Sequence, residues 1–143
     1  MDKYPLLEKM IDEAKSDLPL GVVYPLSAPA LETVFDLIKR QLCTPILIGP
    51  QELILELAAA EELSLDGIEI VDTPKDPILA TKKAVEMVKL GKLAVLMKGS
   101  LHTEDLMGPI VHRDGLRTDK RISHLFLFEL ARYHKLLGVT DAV

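Results

Sequence analysis

Cysteine is nearly absent: Cys43 is the single one in 143 residues. One thiol allows no intrachain disulfide and no cysteine-based metal cluster, which fits a reducing compartment. Tryptophan is missing and aromatics make up 4% of the chain, so the core has to be aliphatic, built from Leu, Ile, Val and Ala. No apolar run approaches the roughly 20 residues that a membrane-spanning helix needs. The opening Met1-Asp2-Lys3-Tyr4-Pro5 lacks the apolar stretch of a secretory signal. A cytoplasmic protein without membrane contact is expected. Positive charge is in deficit: 17 Lys and Arg stand against 22 Asp and Glu, a formal net charge of −5. That balance argues against nucleic acid and anionic membranes as partners.

What is present is an alternation of helix-like and strand-like segments. Leu6, Leu7, Met10, Ile11 and Ala14 give residues 4–15 the spacing of an amphipathic helix. Gly21 to Pro25 reads as a short buried strand ended by proline. Ser27 caps the next helix, with Pro29 in its first turn and Leu31, Val34, Phe35 and Ile38 along its inner face. Pro45 to Gly49 is a second strand, Pro50 opens a helix through Leu63, and Ile68 to Val71 is a third strand. Asp76-Pro77 is a cap followed by proline at the first helical position, and Gly91 marks that helix's stop. Leu93 to Met97 is uniformly apolar, which predicts a strand at the centre of the sheet. Thr103-Glu104-Asp105 reads as the capped, acidic first turn of another short helix. Beyond Arg113 come a polar, basic loop over residues 114–121, the apolar Ile122 to Phe128, and a last strand at Leu136 to Val139. The expectation is a single α/β domain over 1–143, a three-layer αβα sandwich with a mainly parallel sheet and right-handed crossovers.

In parallel sheets, ligands bind outside the C-terminal ends of the strands. Lys98-Gly99-Ser100-Leu101-His102-Thr103 falls there, between an apolar strand and a helix start. Gly99 permits close backbone approach, Ser100 and Thr103 offer hydroxyls, and Lys98 and His102 offer charge. The helix N-terminus adds free N–H groups, so the turn suits a phosphate or carboxylate. An ordinary tight turn with a threonine cap explains the same residues equally well. A second cluster, Arg113, Arg117, Lys120 and Arg121, has the chemistry to hold a polyanion. With Asp114 and Asp119 interspersed, its composition alone favours a solvated loop. His102, His112, His124 and His134 lack metal-ligand spacing, and no metal site is expected. His124, in an apolar run, reads as a core histidine, Cys43 as a small buried hydrophobe, Ser27 as a cap rather than a nucleophile, and the methionines as core filler.

Leu96 to Thr103, then Gly115-Leu116-Arg117-Thr118, then Arg121-Ile122-Ser123-His124, and finally Val139-Thr140-Asp141-Ala142 resemble the phosphate acetyl/butyryltransferase family. The likeness is to its butyryl branch and to the transferase part of fused enoyl-CoA hydratase/phosphate acetyltransferases. It runs from about Gly21 to the end. The resemblance implies transfer of an acyl group between coenzyme A and phosphate: the CoA thiolate attacks the acyl phosphate carbonyl and phosphate leaves. CoA is then a substrate, no cofactor is bound, and no metal enters the chemical step. The family fold is two α/β domains of the isopropylmalate dehydrogenase type with the site in the cleft between them. Gly99, Ser100, His102 and Thr103 would line the phosphate side with Lys98, and Arg117 and Arg121 would hold acyl phosphate or a CoA phosphate. The family's catalytic Asp and its neighbouring Ser and Arg lie past Val143, where a member continues into its second domain. The resemblance therefore implies a first domain, inactive alone, that is an expressed piece, a shortened gene product or a stand-alone relative. Leu125 to Val139 would be the contact of a homodimer. The alternative is a non-catalytic interaction module that pairs with a full-length enzyme. A flavodoxin-like nucleotide-binding domain is disfavoured, since Pro25-Leu26-Ser27-Ala28 is not glycine-rich.

Overall fold

The computed structural model describes residues 3–141. They divide into two compact units, one over residues 16–117 and one that joins residues up to Lys15 with Thr118 onward. The larger unit holds the strands β1 (Pro19–Val23), β2 (Thr44–Gly49), β3 (Glu69–Asp72) and β4 (Val95–Lys98). Its helices are α2 (Ala28–Lys39), α3 (Gln51–Ala60), α4 (Pro77–Lys89) and α5 (Thr103–Val111). All strand pairs in it are parallel, in the order β3-β2-β1-β4. This is an α/β fold with a mainly parallel sheet between helical layers.

Strand alternation feeds two cores. Leu20 and Val22 of β1 and Leu47 of β2 point to the side where Leu31 and Val34 of α2 and Ile54 and Ala58 of α3 are buried. Val23, Ile46 and Ile48 point to the opposite side, against Ala80, Ala84 and Met87 of α4 and Leu106 of α5. Side chains such as Val22, Val23, Leu47 and Ile48 are wholly buried, and each contributes about 1.5–3 kcal/mol of transfer free energy. β1 and β2 are therefore the central strands. β4 is apolar in sequence yet lies at the sheet's edge among the described residues, with Val95 exposed. Its apolar residues reflect cover on both faces, Leu96 packing on the α4/α5 core and Met97 on the α2/α3 core, rather than two neighbouring strands.

Caps follow the sequence with two exceptions. Ser27 Oγ accepts from the Ala30 amide, and Asp76 Oδ1 accepts from the amides of Ile78 and Leu79. Pro50 stands at the N-cap of α3 and has no side-chain acceptor to offer, so Asp72, at the end of β3, accepts from the Gln51 amide at 2.8 Å. That helix stops at Ala60, short of Leu63, and Glu62 turns the chain with φ 55°. α5 takes His102, not Thr103, as its N-cap, and no side chain caps it.

The smaller unit contains helix α1 (Pro5–Glu13) and an antiparallel hairpin of β5 (Leu125–Phe128) and β6 (Leu137–Thr140). Glu129 ties it together, its two carboxylate oxygens accepting from the Leu6 and Leu7 amides at the start of α1. His124 does not sit in a core. It is exposed, directly before β5, and its ring meets Phe126 edge-on at 4.1 Å. A two-stranded ribbon has no second layer to bury it. Among the described residues no helix is long and apolar enough to cross a membrane. The family-like Val139-Thr140-Asp141-Ala142 segment ends outside the described residues at Ala142.

Candidate functional site

The strand order β3-β2-β1-β4 reverses direction between β1 and β4, because β1 is followed through α2 by β2 on one side while β4 lies on the other. Such a switch point opens a crevice past the strands' C-terminal ends. Here it falls between Tyr24, the first residue after β1, and the turn that follows β4. The turn is stitched to β1 by backbone: the Gly99 amide donates to the Val23 carbonyl at 2.8 Å and the Ser100 amide to the Tyr24 carbonyl at 2.7 Å. This crossing needs glycine. A Cβ on residue 99 would stand 2.3 Å from the Val23 oxygen and 2.6 Å from that of Tyr24.

A concavity of about 430 Å³ opens at this crossing, lined by Tyr24, Pro77, Lys98, Ser100, Leu101, His102 and Asp105. Ser100 Oγ is buried and has no hydrogen-bond partner among the described residues. An unmet buried hydroxyl costs about 1–3 kcal/mol, so this atom is a ready contact for a ligand oxygen. Lys98 and His102 are exposed at the rim. Asp105 adds one carboxylate to the same lining, set against the charge of Lys98 and the donor at Ser100.

Three of the turn's predicted site residues, Lys98, Ser100 and His102, thus meet at one surface. Gly99 builds the crossing beneath them, and Thr103 is the exposed first residue of α5. Arg117 does not line the concavity. Arg117 is exposed past α5, and Arg121 is exposed in the other unit. Tyr24, Pro77 and Asp105 line the concavity without having been expected from sequence. Tyr24 has φ 57°, in a region that costs a non-glycine residue about 1–2 kcal/mol. Its one sequence signal is position, as the residue closing an apolar run before proline.

A larger groove of about 620 Å³ runs between α4 and α5. Ile78, Val85, Gly108 and Pro109 give it apolar walls, and Glu86, Glu104, Asp105 and Asp114 line it with carboxylates. Lys89, on its edge, donates to the Asp114 carbonyl, and Asp114 also stands near Arg113 and His112. Four carboxylates make this groove the poorer place for an anion despite its size. Among the described residues no group of three or more His, Cys, Asp or Glu is arranged to hold a metal ion.

Comparison with known proteins bears on what the concavity serves. The chain is 38% identical over 123 residues to the phosphate acetyltransferase of Rickettsia felis, covering 85% of this chain and 35% of that protein. To the phosphate acetyltransferase of Rhizobium meliloti it is 36% identical over 138 residues, 94% of this chain and 43% of that protein. The chain is a relative of the phosphate acetyl- and butyryltransferases. The butyryl branch is represented by the phosphate butyryltransferase of Clostridium beijerinckii, 33% identical over 143 residues, 95% of this chain and 47% of that protein. The chain spans less than half the length of these phosphate acyltransferase relatives. Its fold matches a branched-chain phosphotransacylase from Enterococcus faecalis, with a TM-score of 0.67 at 20% identity over 87% of this chain and 42% of that one. A phosphotransacetylase from Staphylococcus aureus matches with a TM-score of 0.69 at 13% identity, over 94% of this chain and 49% of that one. No protein-family model matches the chain.

Proposed function

We propose that this chain is the phosphate-binding part of a two-domain phosphate acyltransferase, acetyl- or butyryl-type, of the cytoplasm. In the reaction, CoA thiolate forms a carbon–sulfur bond with the acyl carbon of an acyl phosphate. The carbon–oxygen bond to phosphate breaks, and phosphate leaves with its electron pair. The chain's own residues serve the phosphate. Ser100 Oγ donates to one of its oxygens, Lys98 balances its charge, the His102 ring stands beside them, and the Gly99 crossing holds the turn still while charge moves. Thr103 and the first turn of α5 stand at its edge, and Arg117, exposed past α5, is left for a phosphate of CoA. The groups that generate the thiolate come from polypeptide outside these residues, so this chain alone binds without turning over.

One observation carries this reading: the buried, unpartnered hydroxyl of Ser100 at the β1/β4 switch point, in a chain whose relatives are phosphate acyltransferases. Titration with inorganic phosphate, followed by the amide resonances of Lys98 to Thr103, tests it. Saturable shifts are expected, weakened about tenfold or more in Ser100→Ala by loss of a hydrogen bond to a charged group. Amides that stay put at saturating phosphate would sink it. A second reading, a homodimeric interaction module that also pairs with longer relatives, is favoured by the exposed apolar side chains from Ile122 to Leu137.

A further inference from the structure

The lining of the concavity divides by chemistry. Lys98, Ser100, His102 and Asp105 are polar, while Tyr24, Pro77 and Leu101 present apolar surface. An inorganic anion uses only Lys98, Ser100 and His102 of these. A ligand with an oxyanion at one end and a carbon chain at the other uses the apolar surface as well.

Tyr24 is the informative residue. Its left-handed backbone is held from three directions: its amide donates to the Ile48 carbonyl at 2.7 Å, and its carbonyl accepts from Leu26 at 2.9 Å and from Ser100 at 2.7 Å. A glycine would keep all three bonds without the steric penalty. What tyrosine adds is its ring, which packs against the core cluster containing Leu101 and Leu106 and lines the concavity. Strained positions of this kind point to a use for the side chain.

We infer that Tyr24, with Pro77 and Leu101, forms the wall along which the acyl chain of the acyl phosphate lies, and so sets the chain length this site prefers. The inference rests on the phosphate-binding reading of Ser100. Alkylphosphonates are stable probes of it, since their carbon–phosphorus bond survives where an acyl phosphate hydrolyses. The whole chain is titrated by calorimetry with inorganic phosphate, methylphosphonate and butylphosphonate. Burial can contribute up to about fourfold in affinity per methylene, and butylphosphonate should bind at least about tenfold tighter than methylphosphonate. In Tyr24→Gly that ratio should fall to about twofold or less. Tyr24→Phe should keep the ratio, because the ring and not the hydroxyl makes the wall. A flat ratio in the wild-type chain, or an unchanged ratio in Tyr24→Gly, overturns the wall while phosphate binding stands. Failure of inorganic phosphate to bind the wild-type chain overturns the phosphate reading and the wall with it.

Discussion

Gly99 and Ser100 are adjacent and matter for different reasons. Ser100 offers an atom to a ligand, whereas Gly99 offers the absence of one. Gly99→Ala pushes a methyl group into the Val23 and Tyr24 carbonyls, and backbone oxygens cannot swing aside as a flexible side chain would. A loss of about 1–3 kcal/mol of stability is expected in urea unfolding, together with loss of the phosphate-induced shifts at Lys98 to Thr103. Ser100→Ala, by contrast, should leave stability unchanged or slightly raised, because it removes an unsatisfied buried hydroxyl. Cys43 makes a separate prediction. It packs against the core on the α2/α3 side, and burial raises its thiol above the ordinary value. The folded chain then holds this proton more tightly than the unfolded one. The contribution to stability is complete below the ordinary thiol value and is lost as pH rises through the raised one. As pH rises past the ordinary thiol value, wild type should lose more stability than Cys43→Ala.

At the scale of elements, two helices of the larger unit are capped in different ways. α4 carries its own cap in Asp76, while α3 borrows one from Asp72 at the end of the neighbouring strand β3. Asp76→Ala should cost about 1 kcal/mol, read as a shift in denaturation midpoint at constant slope. Asp72→Ala should cost a similar amount, although no capping pattern precedes α3. The first cap is legible because its acceptor lies two residues from its donor. The second is not, because Asp72 and Gln51 meet only once β2 and β3 pair. The same limit explains β4. A run of five apolar residues shows that a strand is covered by helices, and the number of neighbouring strands leaves no mark on it.

For the whole molecule, the contrast between the two units sets what to expect. The larger unit has apolar cores on both faces of its sheet. The smaller exposes Leu125 at 58% and Phe126 and Phe128 at 44% on a hairpin of two strands, and α1 has no buried residue. Such a ribbon is marginally stable in water, and a surface this apolar seeks cover. Amides of Leu125 to Phe128 and Leu137 to Thr140 should exchange with solvent at least about a hundredfold faster than those of Val22 and Leu47. Sedimentation should show association that grows with concentration and diminishes in Phe126→Glu. A strict monomer at all concentrations would speak against the interaction-module reading.

The sequence by itself determined the elements and their order, since each rests on contacts a few residues apart. The apolar runs made strands, the Ser27 and Asp76 caps started helices, and the Lys98 to Thr103 turn lay where a strand hands over to a helix. It also carried the likeness to phosphate acyltransferases, in motifs that are short and local. Tertiary structure alone decided the neighbours. It put β4 beside β1, which brought Tyr24 to the turn from 76 positions away and formed the concavity. It also left His124 outside any core. Sequence favours extended backbone at Tyr24, because a residue before proline is steered there. The left-handed conformation arises instead from bonds to Ile48, Leu26 and Ser100, two of which exist only after the sheet has assembled.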